Sequence, residues 1–264
     1  MLKESKILVL LFLALFAAKL FLAFKTPGVD FDSYIEIRNL QLVEKKFFPM
    51  YDPLSYGGKS VVVLPLGYIF YAIFHPILGS TVLFKVLPNL LLSSLIFLFY
   101  WIIKDLTKNK PLSLALSLTC SLIPTFFANV FVFSTSIIAL ILYLILIKLL
   151  LRLREKNLRY ATLLLLIAPF VHISAALIAA GFLLYLLLIK LEKLKQRKIE
   201  LEVLLFFFVY VIWIYLIIFK RALLVHGTDI FWQNAKHIRQ TINFLHFIQK
   251  IGAIPLLGSI FLIY

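Results

Sequence analysis

The chain has 264 residues, of which 63% are hydrophobic and 15% charged, and its mean hydropathy is +1.03. Soluble domains average about 45–50% apolar and about 25% charged residues, so a soluble domain of this length could not bury so much apolar surface. The formal net charge of +15 would suggest nucleic acid in a soluble protein, but in a membrane protein basic residues accumulate in cytoplasmic loops. We therefore predict an all-α, polytopic transmembrane protein.

The first predicted element is a membrane span over residues 7–24. An apolar run of roughly 18 residues is long enough to cross a hydrocarbon core of about 30 Å. A small-residue cleavage motif does not follow it, so we expect the span to be retained rather than removed as a signal peptide. Residues 25–79 should then form a first outer loop with juxtamembrane helices. Within it, Ser33-x-x-Glu36 has the spacing of a capping box and predicts a surface helix from about Asp32.

The remaining apolar runs predict about 7–8 spans in all. The run over 60–101 is too long for one helix and is broken at His75-Pro76 and at Gly79. It predicts an interfacial helix over 61–74 and a span over 81–103. Further predicted spans cover 112–127, 134–151, a short pair over 160–189 with its turn at 168–172, and 203–219.

The short loops between these spans place the N-terminus in the cytoplasm of a multi-pass cell-membrane protein, because Lys and Arg cluster in every second loop. A last outer loop is expected over 220–250, with an amphipathic interfacial helix at 230–249. We expect one membrane domain over 1–264. Because the final run IGAIPLLGSIFLIY has no polar flank, we also expect either a truncated last span or a longer parent chain.

The chemistry that the sequence offers is concentrated in the first outer loop. Asp30 and Asp32 follow the first span directly. One interpretation is structural, since carboxylates stabilise the N-terminus of a helix. The other is functional, because carboxylates just above the bilayer can act as a base or a metal ligand for a substrate that arrives from lipid.

A series of short motifs in this region resembles the first outer loop of the C-type (GT-C) glycosyltransferases, and the resemblance runs over about residues 7–130. An acidic D-x-D-x-Y motif stands after the first span, and proline, tyrosine and glycine motifs follow it. The matching positions are Asp30, Asp32, Tyr34 and Arg38, then Phe48-Pro49, Tyr51-Asp52-Pro53, Gly57-Gly58, Leu64-Pro65-Leu66 and Tyr68.

The resemblance implies a membrane enzyme that takes a sugar from a polyprenyl-phosphate donor, with Asp32 as the catalytic carboxylate and Asp30 as its neighbour. Metal-dependent members add acidic residues in the second outer loop, which here reads FFANVFVFST. We therefore assign no metal site, and a divalent cation has only weak support. The WWD signature of oligosaccharyltransferases is absent from the sequence, so transfer of a monosaccharide fits better.

A phosphate leaving group needs cations near it, because negative charge accumulates there as the glycosidic bond breaks. Lys85, near the outer end of its predicted span, is either such a ligand or a side chain that extends to the headgroups, and Lys19 is expected to extend in that way. His172, at the turn of the short helix pair, is either a core residue or a site residue. The predicted substrate-binding residues are Arg38, Tyr34, Asp52, Lys59, Lys85, His172, Arg221 and His226.

Other functions have less support. The sequence has no nucleotide-binding or serine-hydrolase motif, and its basic clusters have few aromatic neighbours, so we expect lipid headgroups rather than nucleic acid as their partners. Two alternatives stay open. One is a lipid or solute transporter or flippase, which should carry ionisable residues near the bilayer midplane and often internal repeats. The other is a non-catalytic membrane subunit.

Overall fold

The computed structural model describes residues 2–49, 51–52, 59–60, 62–127, 129–151, 155–192 and 198–226. These residues are almost entirely helical, which confirms the predicted all-α class. A π-helical turn, Val82–Val86, precedes α4, and a two-residue antiparallel ladder pairs β1 (Tyr51–Asp52) with β2 (Lys59–Ser60). The helices are α1 (Leu2–Phe24), α2 (Phe31–Lys45), α3 (Pro65–Thr81), α4 (Leu87–Thr107), α5 (Lys110–Ser121), α6 (Pro124–Phe127), α7 (Ser136–Leu150), α8 (Glu155–Val171), α9 (Ala175–Leu191) and α10 (Lys198–His226).

Three helical stretches in the described residues are long and apolar enough to cross a membrane: Glu4–Phe24, Pro65–Thr107 and Leu201–Lys220. The helices α7 and α9 are apolar but shorter. The composition predicts a membrane protein, and these helices have the length and apolar character that membrane spans need. The larger number of about 7–8 spans stays a prediction.

The stretch Pro65–Thr107 is interrupted where the sequence predicts a break. Gly79 has φ 70° and ψ 164°, which is not helical, and the π-helical turn follows it. This combination of φ and ψ suits glycine, because in other residues the Cβ atom would clash with the neighbouring peptide groups. Pro76 is not itself the break, since Gly79 is the residue inside α3 whose φ and ψ are not helical.

The predicted helix over 112–127 is wrong as a single element. The chain forms α5, which ends at Ser121, and the separate short α6. Pro124 explains the interruption, because it has no N–H group and its ring clashes with the carbonyl one turn earlier. The chain forms two helices, α8 and α9, over the predicted pair at 160–189. The predicted turn at 168–172 is wrong, because α8 continues through Pro169 to Val171 and the turn is at residues 172–174.

The predicted span at 203–219 lies within α10, whose membrane-length apolar stretch is Leu201–Lys220, and α10 continues as a helix to His226. Apolar residues such as Leu223 and Leu224 extend the helical pattern past Lys220. The predicted amphipathic helix at 230–249 lies outside the described residues.

The described chain divides into two compact units. The first contains residues 2–37 and Phe74–Ile137. In it, Leu8 and Leu15 of α1 pack with Ile96 and Tyr100 of α4. The helices α4 and α5 form a hairpin, and α5 buries Ser113, Ser117 and Ser121 at every fourth position. Such small side chains let the backbones of neighbouring membrane helices approach closely.

The second unit contains Arg38–Ile73 and residues 138–226. Its core is formed by α7, α8, α9 and α10. Small residues are buried along α8 and α9, where Ala161, Ala168 and Ala175 are fully inaccessible, and Phe207 of α10 belongs to the same core.

Candidate functional site

A cleft of about 380 Å³ lies in the first unit between two chain segments. The first segment contributes Thr26, Gly28, Val29 and Asp30 to its lining, and the second contributes Asn129, Phe131 and Val132. The first segment is the short connection between α1 and α2, and the second precedes α7. The polar side chains in the lining are those of Thr26, Asp30 and Asn129. The cleft thus contains one of the two carboxylates that the sequence singles out, six residues after the end of a membrane-length helix.

Asp30 both begins α2 and lines the cleft. Its Oδ1 accepts a hydrogen bond from the N–H of Phe31 at 2.7 Å, and its carbonyl accepts one from the N–H of Ser33 at 3.0 Å. A residue with these bonds satisfies N–H groups that the first turn of a helix leaves without partners. Among the described residues, none donates a hydrogen bond to Oδ2 of Asp30. The structural and functional interpretations of Asp30 are therefore compatible.

Asp32 has a different environment. It is exposed, as Asp30 is, but it lies in the first turn of α2 and is not among the described residues that line the cleft. A carboxylate at this position interacts favourably with the positive end of the helix dipole. Tyr34 is also exposed, and its hydroxyl lies next to Gly28, where a Cβ atom would be 3.4 Å from it. The geometry favours Asp30 over Asp32 as the carboxylate of the cleft.

The predicted capping box at Ser33 and Glu36 is wrong, because α2 begins at Phe31 and Ser33 is its third residue. Ser33 instead connects α2 to the other wall of the cleft. Its Oγ accepts a hydrogen bond from the N–H of Phe133 at 2.8 Å and lies 3.4 Å from the carbonyl oxygen of Phe131. The N–H of Asp30 donates to that same carbonyl at 3.1 Å.

Lys85 does not extend to the headgroups. Only 8% of its surface is exposed, and its ammonium donates to the carbonyls of Thr26 at 2.6 Å and Ala23 at 3.3 Å. These carbonyls lie at and just beyond the end of α1, where cations are favourable and backbone acceptors lack helical partners. Lys85 thus holds the cleft segment at Thr26 in place.

Lys19 is likewise buried rather than extended, which corrects the prediction. It is 1% exposed, and its ammonium donates to the carbonyl of Phe126 at 2.6 Å. That carbonyl is in the last turn of α6, which is too short to satisfy its own acceptors.

Asn89 holds the second wall of the cleft. It is fully buried in α4, and its Nδ2 donates to the carbonyls of Lys85 and Val130, both at 2.8 Å. Sequence reasoning overlooked this residue, Asn129 and the cleft wall to which Asn129 belongs. The sequence does contain a signal for Asn89, because it is a polar residue within an apolar run and a buried polar group in a membrane segment needs a partner.

In the second unit, two predicted substrate-binding residues pair with each other. Nη2 of Arg38 lies 2.5 Å from Oδ1 of Asp52, and Nε of Arg38 lies 3.4 Å from Oδ2. The hydrogen bond that the guanidinium donates to Asp52 raises the pKa of Arg38. Next to Arg38 in the chain, Asn39 donates to the hydroxyl of Tyr68 at 3.2 Å.

Three further predicted site residues are described by their backbone alone. Lys59 lies in β2, and Arg221 and His226 lie in the last two turns of α10. Their side chains are outside the described part of the structure.

His172 lies in the turn between α8 and α9, within a buried polar network. Its Nδ1 accepts a hydrogen bond from the backbone N–H of Ser174 at 3.2 Å and lies 2.8 Å from the hydroxyl of Ser174. Because Nδ1 is an acceptor, the proton of a neutral imidazole is on Nε2. The hydroxyl of Tyr143 lies 3.1 Å from that of Ser174, and Tyr215 donates to the His172 carbonyl at 3.0 Å.

An apolar cavity of about 450 Å³ adjoins this network through Tyr143. Its lining comes from α7, α9 and α10, and includes Leu146, Ile178, Gly181 and Phe182. Between Tyr143 and Leu150 the cavity follows α7 for about 10 Å, at 1.5 Å per residue. Apart from Tyr143 and Tyr185, the residues that line the cavity have no polar side chain, so its polarity suits a hydrocarbon chain.

The described residues contain no group of three or more His, Cys, Asp or Glu side chains that could hold a metal ion. A comparison with models of known protein families returned no match for this chain. A comparison with curated proteins also returned none.

Proposed function

We propose that this protein is a membrane glycosyltransferase that moves one sugar from a polyprenyl-phosphate donor to an acceptor on the outer membrane face. The observation that carries the proposal is the cleft beside Asp30, at the end of the membrane-length helix α1. A carboxylate at this level can meet a substrate whose lipid tail stays in the bilayer. With it we propose about 7–8 spans and a cytoplasmic N-terminus.

In the proposed reaction an acceptor hydroxyl attacks the anomeric carbon of the sugar. The bond between that carbon and the phosphate oxygen breaks, and the polyprenyl phosphate leaves with the bonding electron pair. Asp30 takes the proton of the attacking hydroxyl, a role for which a carboxylate oxygen without a protein donor is suited. Arg38, Lys59, Arg221 and His226 stay candidate phosphate ligands on the sequence alone, and Arg38 is paired with Asp52 within the second unit.

The apolar cavity beside Tyr143 belongs to the second unit and by itself suits a hydrocarbon chain. Burial of such a chain contributes about 0.8 kcal/mol per CH₂ group, so a cavity that follows α7 for two turns can bind several carbons of a lipid.

A transporter or a non-catalytic subunit remains the alternative, and Lys19 and Lys85 are the ionisable residues that a transporter would use. Both donate to backbone carbonyls, which supports structural roles for them. The transferase is therefore the function that the contacts favour.

The test uses the purified full chain in liposomes with a set of polyprenyl-phospho-sugars that are radiolabelled in the sugar. A transferase releases polyprenyl phosphate and passes the label to an acceptor or, more slowly, to water. A flippase moves the intact labelled lipid between leaflets and breaks no bond. Lipid translocation with every donor intact would exclude the proposed reaction.

A further inference from the structure

The hydrogen bonds around Ser174 determine which kind of group can bind beside Tyr143. Nδ1 of His172 accepts the backbone N–H of Ser174 at 3.2 Å, so this nitrogen has a lone pair and no proton. Oγ of Ser174 lies 2.8 Å from the same nitrogen, and of these two atoms only the hydroxyl has a proton to donate. The Ser174 hydroxyl therefore donates to His172.

The direction of the next hydrogen bond follows from this one. Oη of Tyr143 lies 3.1 Å from Oγ of Ser174. Because the single proton of the Ser174 hydroxyl is directed at His172, Tyr143 is the donor in this pair. The Tyr143 hydroxyl also has a single proton, so its oxygen retains the capacity to accept a hydrogen bond but not to donate a second one.

This acceptor lies at one end of the apolar cavity of about 450 Å³. Tyr143 lines the cavity, and its hydroxyl is bonded to Ser174, which immediately precedes α9. The first residues of α9 in the lining are Leu177 and Ile178, about one turn later. The cavity thus combines an apolar length along α7 and α9 with a hydrogen-bond acceptor at the end near residue 174.

The cavity is open to the surface of the second unit, because Ile147, Leu177 and Tyr185 line it and are exposed. The surface of α9 next to this opening is also apolar, since Leu184 and Leu188 are exposed as well. Exposed apolar surface of this kind marks contact with a membrane or a partner, and the chain has helices of membrane length. The occupant of the cavity should therefore come from the bilayer.

We propose that the cavity binds a membrane lipid that places one hydrocarbon chain inside it and donates a hydrogen bond from a free hydroxyl group to Oη of Tyr143. Long-chain alcohols are the simplest ligands of this class. An ionised carboxylate has no proton to donate, and its charge would be buried without a cation among the described residues that line the cavity. This inference concerns the second unit alone and does not depend on the proposed glycosyl transfer.

The direct test is photolabelling of the purified full chain in lipid nanodiscs. The probes are a long-chain alcohol with a diazirine in its chain and the methyl ether of that alcohol, which keeps the chain and the oxygen but has no proton to donate. One net hydrogen bond contributes about 0.5–1.5 kcal/mol, or about 2- to 13-fold in affinity. At equal, sub-saturating concentrations the alcohol should label the segments 143–151 and 177–185 more strongly by about this factor. Equal labelling by the two probes, or adducts confined to other segments, would overturn the inference.

A pair of conservative variants tests the acceptor. Tyr143→Phe keeps the aromatic ring in the lining and removes the oxygen, so alcohol and ether should label this variant equally. The matched control is Tyr185→Phe, which removes the other hydroxyl of the lining and should keep the preference for the alcohol. A preference that persists in Tyr143→Phe would contradict the assigned hydrogen bond.

A second pair of variants tests the cavity itself. Gly181 lines it, and a Cβ atom there would meet no other atom within 4 Å. Gly181→Leu should occupy this open space and reduce labelling by both probes. Ala180→Leu is the matched control, because Ala180 is exposed on the same helix and is not among the described residues of the lining. Equal labelling of the two variants would exclude the cavity as the binding site.

Competition between unlabelled lipids tests the chemical class of the ligand. An alcohol should displace the probe at lower concentration than the carboxylate of the same chain length, because only the alcohol can donate to Tyr143. Stronger displacement by the carboxylate would overturn the assignment of a hydroxyl lipid.

Discussion

Replacement of Lys85 by methionine removes a buried ammonium but keeps an unbranched side chain of similar length. The carbonyls of Thr26 and Ala23 then lose their donor. A buried acceptor without a partner costs about 1–3 kcal/mol, and the 3.3 Å bond to Ala23 belongs at the low end. Relief of the ammonium's own desolvation offsets part of this cost. We expect a net loss of about 1–3 kcal/mol.

The assay is thermal unfolding of the purified protein in detergent, followed by intrinsic fluorescence. At about 2–4 °C per kcal/mol for a chain of this size, Lys85→Met should lower the Tm by roughly 2–12 °C. The matched control is Lys25→Met, since Lys25 is exposed and lies one residue before Thr26. Equal Tm values for the two variants would refute the role of Lys85 as a cap for α1.

Two other predictions concern the backbone and the cleft wall. Gly79→Ala should destabilise the protein by about 1–3 kcal/mol because of its positive φ, whereas Gly181→Ala, in the interior of α9 with open space for a Cβ, should stabilise it by about 0.5–1 kcal/mol. Opposite shifts in Tm are the expected result, and a fall in both would contradict the assigned backbone at Gly79. Ser33→Ala should cost about 1–3 kcal/mol, because the buried N–H of Phe133 loses its acceptor. Hydrogen exchange at Phe133 should accelerate in this variant, and unchanged exchange would contradict the contact.

The sequence predicts the helices well where run length and helix breakers decide the outcome. The apolar runs at 7–24 and 134–151 correspond closely to α1 and α7, and Gly79 breaks the helix as expected. The prediction of one helix at 112–127 is wrong, because it follows the apolar run through Pro124. Proline interrupts a helix even where the sequence stays apolar.

The candidate site is less predictable, because its contacts join residues that are far apart in the chain. Ser33 meets Phe133, 100 positions later, and Lys85 meets Thr26, 59 positions earlier. Local motifs cannot indicate such pairs. The Ser33-x-x-Glu36 spacing was therefore interpreted as a local capping box, although both side chains bond to the distant segment 131–134.

The most direct measurement compares the sugar-transfer rates of Asp30→Asn and Asp32→Asn in liposomes. Asparagine caps helices as well as aspartate does, so Asp30→Asn should fold normally. If Asp30 is the base, this variant should lose about 100- to 10,000-fold in kcat/KM. Asp32→Asn should retain most of the activity. Full activity in Asp30→Asn, or a comparable loss in Asp32→Asn alone, would contradict the assignment of the cleft carboxylate.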